Sequence, residues 1–191
     1  MNKEILEQLF DSPVKVKLLK LFLRNPEESF ELKEVKKRIK SDASACRRQM
    51  KKLENINLIG SRVKDRRKAY FVNSDFDFYN ELRTLVLKSN PASQEKILSR
   101  LKTLGRIKLA ILAGIFLNAE NSRVDLLVVG DNIKKRKLSN FLRNLEAEVG
   151  KEIDYVVFSS RDFNYRYDMF DRFIRDVLEK PHEKLINKLK I

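Results

Sequence analysis

Between Lys33 and Lys68 two helical patterns are separated only by Ser41-Asp42, and a hairpin pattern follows the second directly. Helix, sharp turn, helix and hairpin in so few residues leave little freedom in how the segment can pack. The segment also carries fourteen Lys and Arg against four acids, Glu34, Asp42, Glu54 and Asp65. That is +10 of a whole-chain net charge of +14, leaving +4 for the other 155 residues. A basic stripe confined to one fold unit is an electrostatic footprint for a polyanion, and duplex DNA is the polyanion that fits this shape.

A chain of 191 residues allows one large domain or two small ones, and a hydrophobic content of 42% with twelve Phe is enough for real cores. The sequence pI of 9.8 favours a nucleic-acid partner over an anionic membrane, because no amphipathic anchor or polybasic terminus stands out. Met1-Asn2-Lys3-Glu4 is no apolar leader, no stretch has the length to cross a bilayer, and a cytoplasmic protein is expected. Cys46 is the single cysteine, which excludes an intramolecular disulfide and a cysteine-based zinc site. His182 is the single histidine and has no partner pattern, which suits a surface or packing residue; neither a metal nor a cofactor is expected.

Ser12-Pro13 opens a first helix with Ser as N-cap and Pro at the first helical position. Val16, Leu18, Leu19, Phe22 and Leu23 give it a broad apolar face, and Asn25-Pro26 ends it. The next helix spans about Glu31–Lys40, with Leu32, Val35 and Ile39 inward and a weak cap in Glu31. Asp42 caps a third helix over about Ala43–Asn55, whose apolar stripe is Ala43, Cys46, Met50 and Leu53, and Asn57 ends it in a left-handed conformation. Leu58–Ser61 and Ala69–Val72 form a hairpin around a tip of seven residues, 62–68. A further helix covers about Phe76–Leu87, and Ser89–Ser93 is a linker. Beyond it, helices at about 94–104, 134–149 and 169–179 alternate with strands at 107–113, 124–129 and 153–158, the pattern of a small α/β layer.

With its apolar stripe inward, the third helix turns Ser44, Ala45, Arg47, Arg48, Lys51 and Lys52 outward. A recognition helix places its N-terminal residues on base edges, where Arg47 and Arg48 can make bidentate contacts to guanine and Ser44 can bond a base or phosphate. Lys51 and Lys52, one turn on, suit phosphates. In the hairpin, Arg62, Lys64, Arg66, Arg67 and Lys68 suit the flanking backbone or a narrow minor groove. The same charges would also keep a bare hairpin tip soluble.

Leu9–Leu19 and Ala43–Ile59 resemble the winged helix-turn-helix domains of small prokaryotic transcription regulators of the ArsR/MarR-like type, over about residues 5–75. Asn57 stands where that family has Gly before the wing. Residues 94–190 resemble the minimal nucleotidyltransferase domains of the DNA polymerase beta superfamily. That resemblance implies Gly-Ser after a first strand, Asp-x-Asp entering the second and a third carboxylate on the next, holding two Mg²⁺. Gly114, Asp125 and Asp154 match; Ile115 replaces the Ser and Arg123 the first Asp, so the resemblance implies a fold without the activity.

The expected protein is α+β: a winged-helix DNA-binding domain with trailing helix at 1–88, a linker at 89–93, and a nucleotidyltransferase-like domain at 94–191. It would be a transcription regulator, a repressor, binding double-stranded DNA as a homodimer. The second domain would serve dimerisation, a small-molecule effector or a protein contact. The rival expectations are an active, antitoxin-like nucleotidyltransferase with a DNA-binding module, and an RNA- or protein-binding winged-helix adaptor.

Overall fold

The computed structural model describes residues 5–64, 66–89, 92–119 and 121–191; of Lys64 only the backbone is described. The described residues form a mixed α+β chain with nine α-helices and two sheets, and none of the helices is long and apolar enough to cross a membrane. The chain divides into two compact units: Met1–Ser89 with Glu146–Lys151, and Asn90–Leu145 with Glu152–Ile191. The first division falls between Ser89 and Asn90; of the expected linker at 89–93, Asn90 and Pro91 lie outside the described residues. Residues 146–151 belong to the first unit although the chain on either side of them belongs to the second.

In the first unit α1 (Ile5–Phe10) precedes α2 (Pro13–Arg24), which starts where Ser12 accepts a hydrogen bond from the Lys15 amide at 3.2 Å. Then follow β1 (Phe30–Glu31), α3 (Leu32–Ile39), α4 (Ala43–Asn55), β2 (Ile59–Lys64), β3 (Arg67–Val72) and α5 (Tyr79–Lys88). The apolar faces of α2, α3 and α4 close on one core containing Leu18, Phe22, Val35, Ile39, Met50 and Leu53. Burying side chains of this size stabilises the unit by about 1.5–3 kcal/mol each. Arg24 at the end of α2 is buried too; its Nη2 donates to the Val86 carbonyl of α5 at 3.2 Å, and burial lowers its pKa to about 10.

The stripe of α4 differs from expectation in two places. Gln49 is buried beside Cys46, Met50 and Leu53, whereas Ala43 is only half-buried. The cap of α3 is better than expected, since the Glu34 carboxylate accepts from the Glu31 amide at 2.7 Å. Asn57 does take the left-handed conformation, φ 60°.

The second unit contains α6 (Gln94–Leu101), β4 (Arg106–Leu112), β5 (Leu126–Asp131), α7 (Lys135–Val149), β6 (Tyr155–Phe158), α8 (Ser160–Asp168), α9 (Arg172–Glu179) and β7 (Glu183–Asn187). The sheet order is β6-β5-β4-β7, with β5 and β6 parallel and the other pairs antiparallel. Leu126–Val129 of β5 are fully buried, as befits a central strand covered on both faces. Two elements were not expected. Residues 160–179 form two helices, with Met169–Asp171 between them, and β7 adds a fourth strand beside β4.

Candidate nucleic-acid interface

The turn between α3 and α4 is built from backbone chemistry. Lys40 sits in the left-handed region at φ 48°, which reverses the chain directly after α3. Asp42 Oδ1 then accepts from the Ser44 and Ala45 amides at 2.9 and 2.8 Å and satisfies two orphan donors of α4. The Ala45 amide, with the Ser44 hydroxyl next, holds the Asp42 carboxyl below its ordinary range.

From that start, α4 exposes Ser44, Arg47, Arg48, Lys51 and Lys52 on one side and buries Cys46, Gln49, Met50 and Leu53 on the other. Arg47 with Lys51, and Arg48 with Lys52, are like-charge pairs at i,i+4, an arrangement that weakens a helix. None of the four cations has an acidic partner among the described residues. Ser44 differs from the rest because its hydroxyl is already engaged with Asp42, which makes it part of the cap. Desolvation, the main effect on Cys46, raises its thiol pKa, so the side chain serves as a small buried hydrophobe.

Residues 62–64 and 67–68 of the expected seven-residue basic tip are instead paired strand. Arg62 opposes Ala69, Val63 opposes Lys68 and Lys64 opposes Arg67. Arg66 takes the left-handed region at φ 62°, while Asp65 and the Lys64 side chain lie outside the described residues. Tight hairpin turns commonly demand such positive φ values.

Pairing gives the hairpin cations partners that the sequence did not reveal. Arg62 lies over the Phe71 ring at 5.6 Å and donates to Ser29 Oγ at 3.2 Å. Arg67 pairs with Glu31 at 3.3 Å. Burial alone would raise the Glu31 carboxyl, but Lys33 and Arg67 outweigh it and hold it below its usual range. Lys68 pairs with Glu54 of α4 at 3.2 Å and lies 4.8 Å from the centre of the Tyr70 ring. Arg66 is exposed and has no ion partner among the described residues. Alternation along β2 and β3 was the available signal: Lys68 shares the inward face with Tyr70, and Arg62 the opposite face with Phe71.

The second expected motif lies in the second unit. Gly114 begins a 3-10 turn, Gly114–Phe116, at φ 50°, and a Cβ there would collide with the Asp125 carboxylate. Asp125 Oδ1 accepts from the Ile115 amide at 2.8 Å and Oδ2 from the Asp154 amide at 2.9 Å. Both carboxylate oxygens therefore tie neighbouring loops together. Asp154 itself is exposed. Arg123 is turned to Asp176 of α9, its Nε and Nη2 lying 2.8 and 2.7 Å from one carboxylate oxygen. Among the described residues no group of three or more His, Cys, Asp or Glu side chains converges to hold a metal.

His182 Nδ1 lies 2.9 Å from the Lys180 carbonyl. In the aromatic run of α8, Phe163 is fully buried against the sheet, Tyr167 stacks on it at 6.0 Å, and Tyr165 is exposed. Comparison of the chain with family models, with curated proteins and with solved structures finds no match.

Proposed function

We infer that the chain is a DNA-binding transcription regulator, a repressor acting by occupancy, whose first unit is a winged helix-turn-helix. The observation that carries this reading is the exposed cationic stripe of α4, whose Arg47, Arg48, Lys51 and Lys52 have no acidic partner among the described residues and which starts immediately after a capped three-residue turn. An isolated helix is weakened by such a stripe, and a phosphate backbone relieves it. Arg47 and Arg48, in the first two turns, read base edges in the major groove; Lys51 and Lys52 bind phosphate. Beside them, Arg66 at the hairpin turn, with Lys64, contacts the flanking backbone.

The protein works in the cytoplasm as a homodimer, because one recognition helix reads only a few base pairs. The second unit is nucleotidyltransferase-like in fold and inactive in chemistry, and serves dimerisation, an effector or a protein contact. Supporting this, Asp125 is engaged by two backbone amides and Arg123 stands where a metal ligand would be needed. The reading requires no metal or cofactor.

Selection of bound duplexes from a random library tests the reading. The expected result is an enriched motif of two related half-sites about one helical turn apart. Binding without any enriched motif, or affinity insensitive to salt, rejects sequence-specific recognition by α4.

A further inference from the structure

A second cationic surface lies in the other unit, at one end of its sheet. Residues 94–145 carry eleven Lys and Arg against four acids. Lys102, Arg106, Lys108 and Lys188 line an open groove of about 540 Å³ whose other lining residues, Gly105, Ile107 and Ile186, carry no charge. The start of α7 adjoins it: the Lys134 amide donates to the Leu104 carbonyl at 2.9 Å, and Lys137 Nζ to the Thr103 carbonyl at 3.4 Å. The sequence there is Lys134-Lys135-Arg136-Lys137, all four exposed, and the first turn of α7 contains no acid.

Cations in a helix's first turn oppose its dipole, and four in succession repel one another. The nearby carboxylate, Asp131, is occupied: it accepts from the Ser160 amide and hydroxyl at 3.1 and 2.8 Å and lies 3.5 Å from Lys108. The Ser160 amide is the main reason its carboxyl stays below the ordinary range. The start of the helix thus carries an electrostatic cost, and none of its four cations has an ion partner among the described residues.

We propose that this end of the second unit binds the phosphate backbone of duplex DNA without regard to sequence. The occupant follows from the layout. The cations come from three separate stretches of chain and, apart from Lys108 beside Asp131, stand exposed around an open groove, which suits a repeating polyanion better than a single phosphate group. An anionic bilayer fits less well, because Ile107 and Ile186 are buried and, among the described residues, no large exposed apolar side chain lines the groove.

The test uses the full chain carrying Lys102→Gln, Arg106→Gln, Lys134→Gln and Lys135→Gln, titrated with a random-sequence duplex over a salt series. The slope of log K against log salt should become shallower by about 3 to 4, and low-salt affinity should fall at least about tenfold. The melting temperature should hold or rise, since repulsion at the start of α7 is relieved. A wild-type slope and affinity in the fourfold variant overturn the proposal, as does a lower melting temperature with no change in slope. Binding by the wild type to anionic vesicles and not to duplex also overturns it. The paired variant Arg47→Ala/Arg48→Ala separates this surface from α4. If it loses sequence preference while the fourfold variant binds normally, the α4 reading stands and this proposal falls. The reverse outcome supports this proposal and rejects the other.

Discussion

Lys68 on β3 reaches Glu54 in the last turn of α4, Nζ to Oε1 3.2 Å. The bond holds the hairpin beside the proposed reading helix, and Glu54 is the main reason the Lys68 ammonium is raised above its ordinary pKa. It also occupies one of the hairpin's cations. Glu54→Gln should therefore free Lys68 and steepen the salt dependence of duplex binding by about 0.9, the share of one phosphate contact. Lys68→Ala should weaken binding less than Arg66→Ala, whose guanidinium has no ion partner among the described residues to give up. Equal losses from the two alanine variants, with Glu54→Gln neutral, would show that the ion pair opens on binding.

Arg47 and Arg48 allow a sharper separation of binding from folding. Both are exposed on α4 and lack acidic partners among the described residues, so alanine at either should leave the melting temperature near that of the wild type. Specific affinity should fall by about 1–3 kcal/mol, with one base position relaxed in the selected motif. Arg66→Ala should weaken all sequences alike. Identical sequence profiles for helix and hairpin variants would contradict this division between reading and anchoring.

Asp42 ties the proposed interface to pH. Its carboxyl is held below the usual range by the Ala45 amide and the Ser44 hydroxyl. A depressed carboxylate contributes stability that is complete above the unfolded value, near 4, and is lost as pH falls through the lower folded value. Asp42→Asn keeps a capping acceptor but cannot titrate, so its melting temperature should decline less steeply with acid than that of the wild type. Asp42→Ala should melt lower at neutral pH, where the cap is gone altogether. Thermal melts over the acid range check both expectations, and superimposable acid limbs for wild type and Asp42→Asn would refute the cap's part in them.

What was legible in the sequence was local. Ser12, Asp42 and Asn57 act within a few residues of themselves, through capping and left-handed backbone, and their chemistry reads directly from residue type. The outward face of α4 follows from helical period alone, except at Gln49, a polar residue that the fold buries. What was not legible depends on distant partners. Charges at 62–68 look like loop until Glu31, Glu54, Phe71 and Tyr70 are brought opposite them. β7 is a strand because it pairs with β4, more than seventy residues earlier, and its own Glu-Lys-Leu-Ile-Asn carries little strand signal. The loop-tying role of Asp125 is invisible without the Ile115 and Asp154 amides beside it.

Those same contacts set an expectation for the second unit: with nucleotide and Mg²⁺ or Mn²⁺, the chain should transfer no nucleotidyl group to protein, RNA or small acceptors. Two-metal chemistry needs several carboxylates converging on one point. Here Asp125 holds two backbone amides, Asp154 is exposed, and the Arg123 guanidinium is committed to Asp176. Arg123→Asp alone should not create activity; it would set a second carboxylate against Asp176 and lower stability, while Ile115 still stands in place of a phosphate-cradling Ser. Asp125→Ala removes the acceptor of both amides and should cost about 1–3 kcal/mol of stability. Labelled-nucleotide transfer and thermal melting, run together on the wild type and both variants, separate a structural carboxylate from a catalytic one. Transfer by the wild type that disappears in an Asp125→Ala protein still folded at the assay temperature would establish a working enzyme. Loss of stability with no transfer in any variant identifies Asp125 as the residue that ties the 3-10 turn to the start of β6.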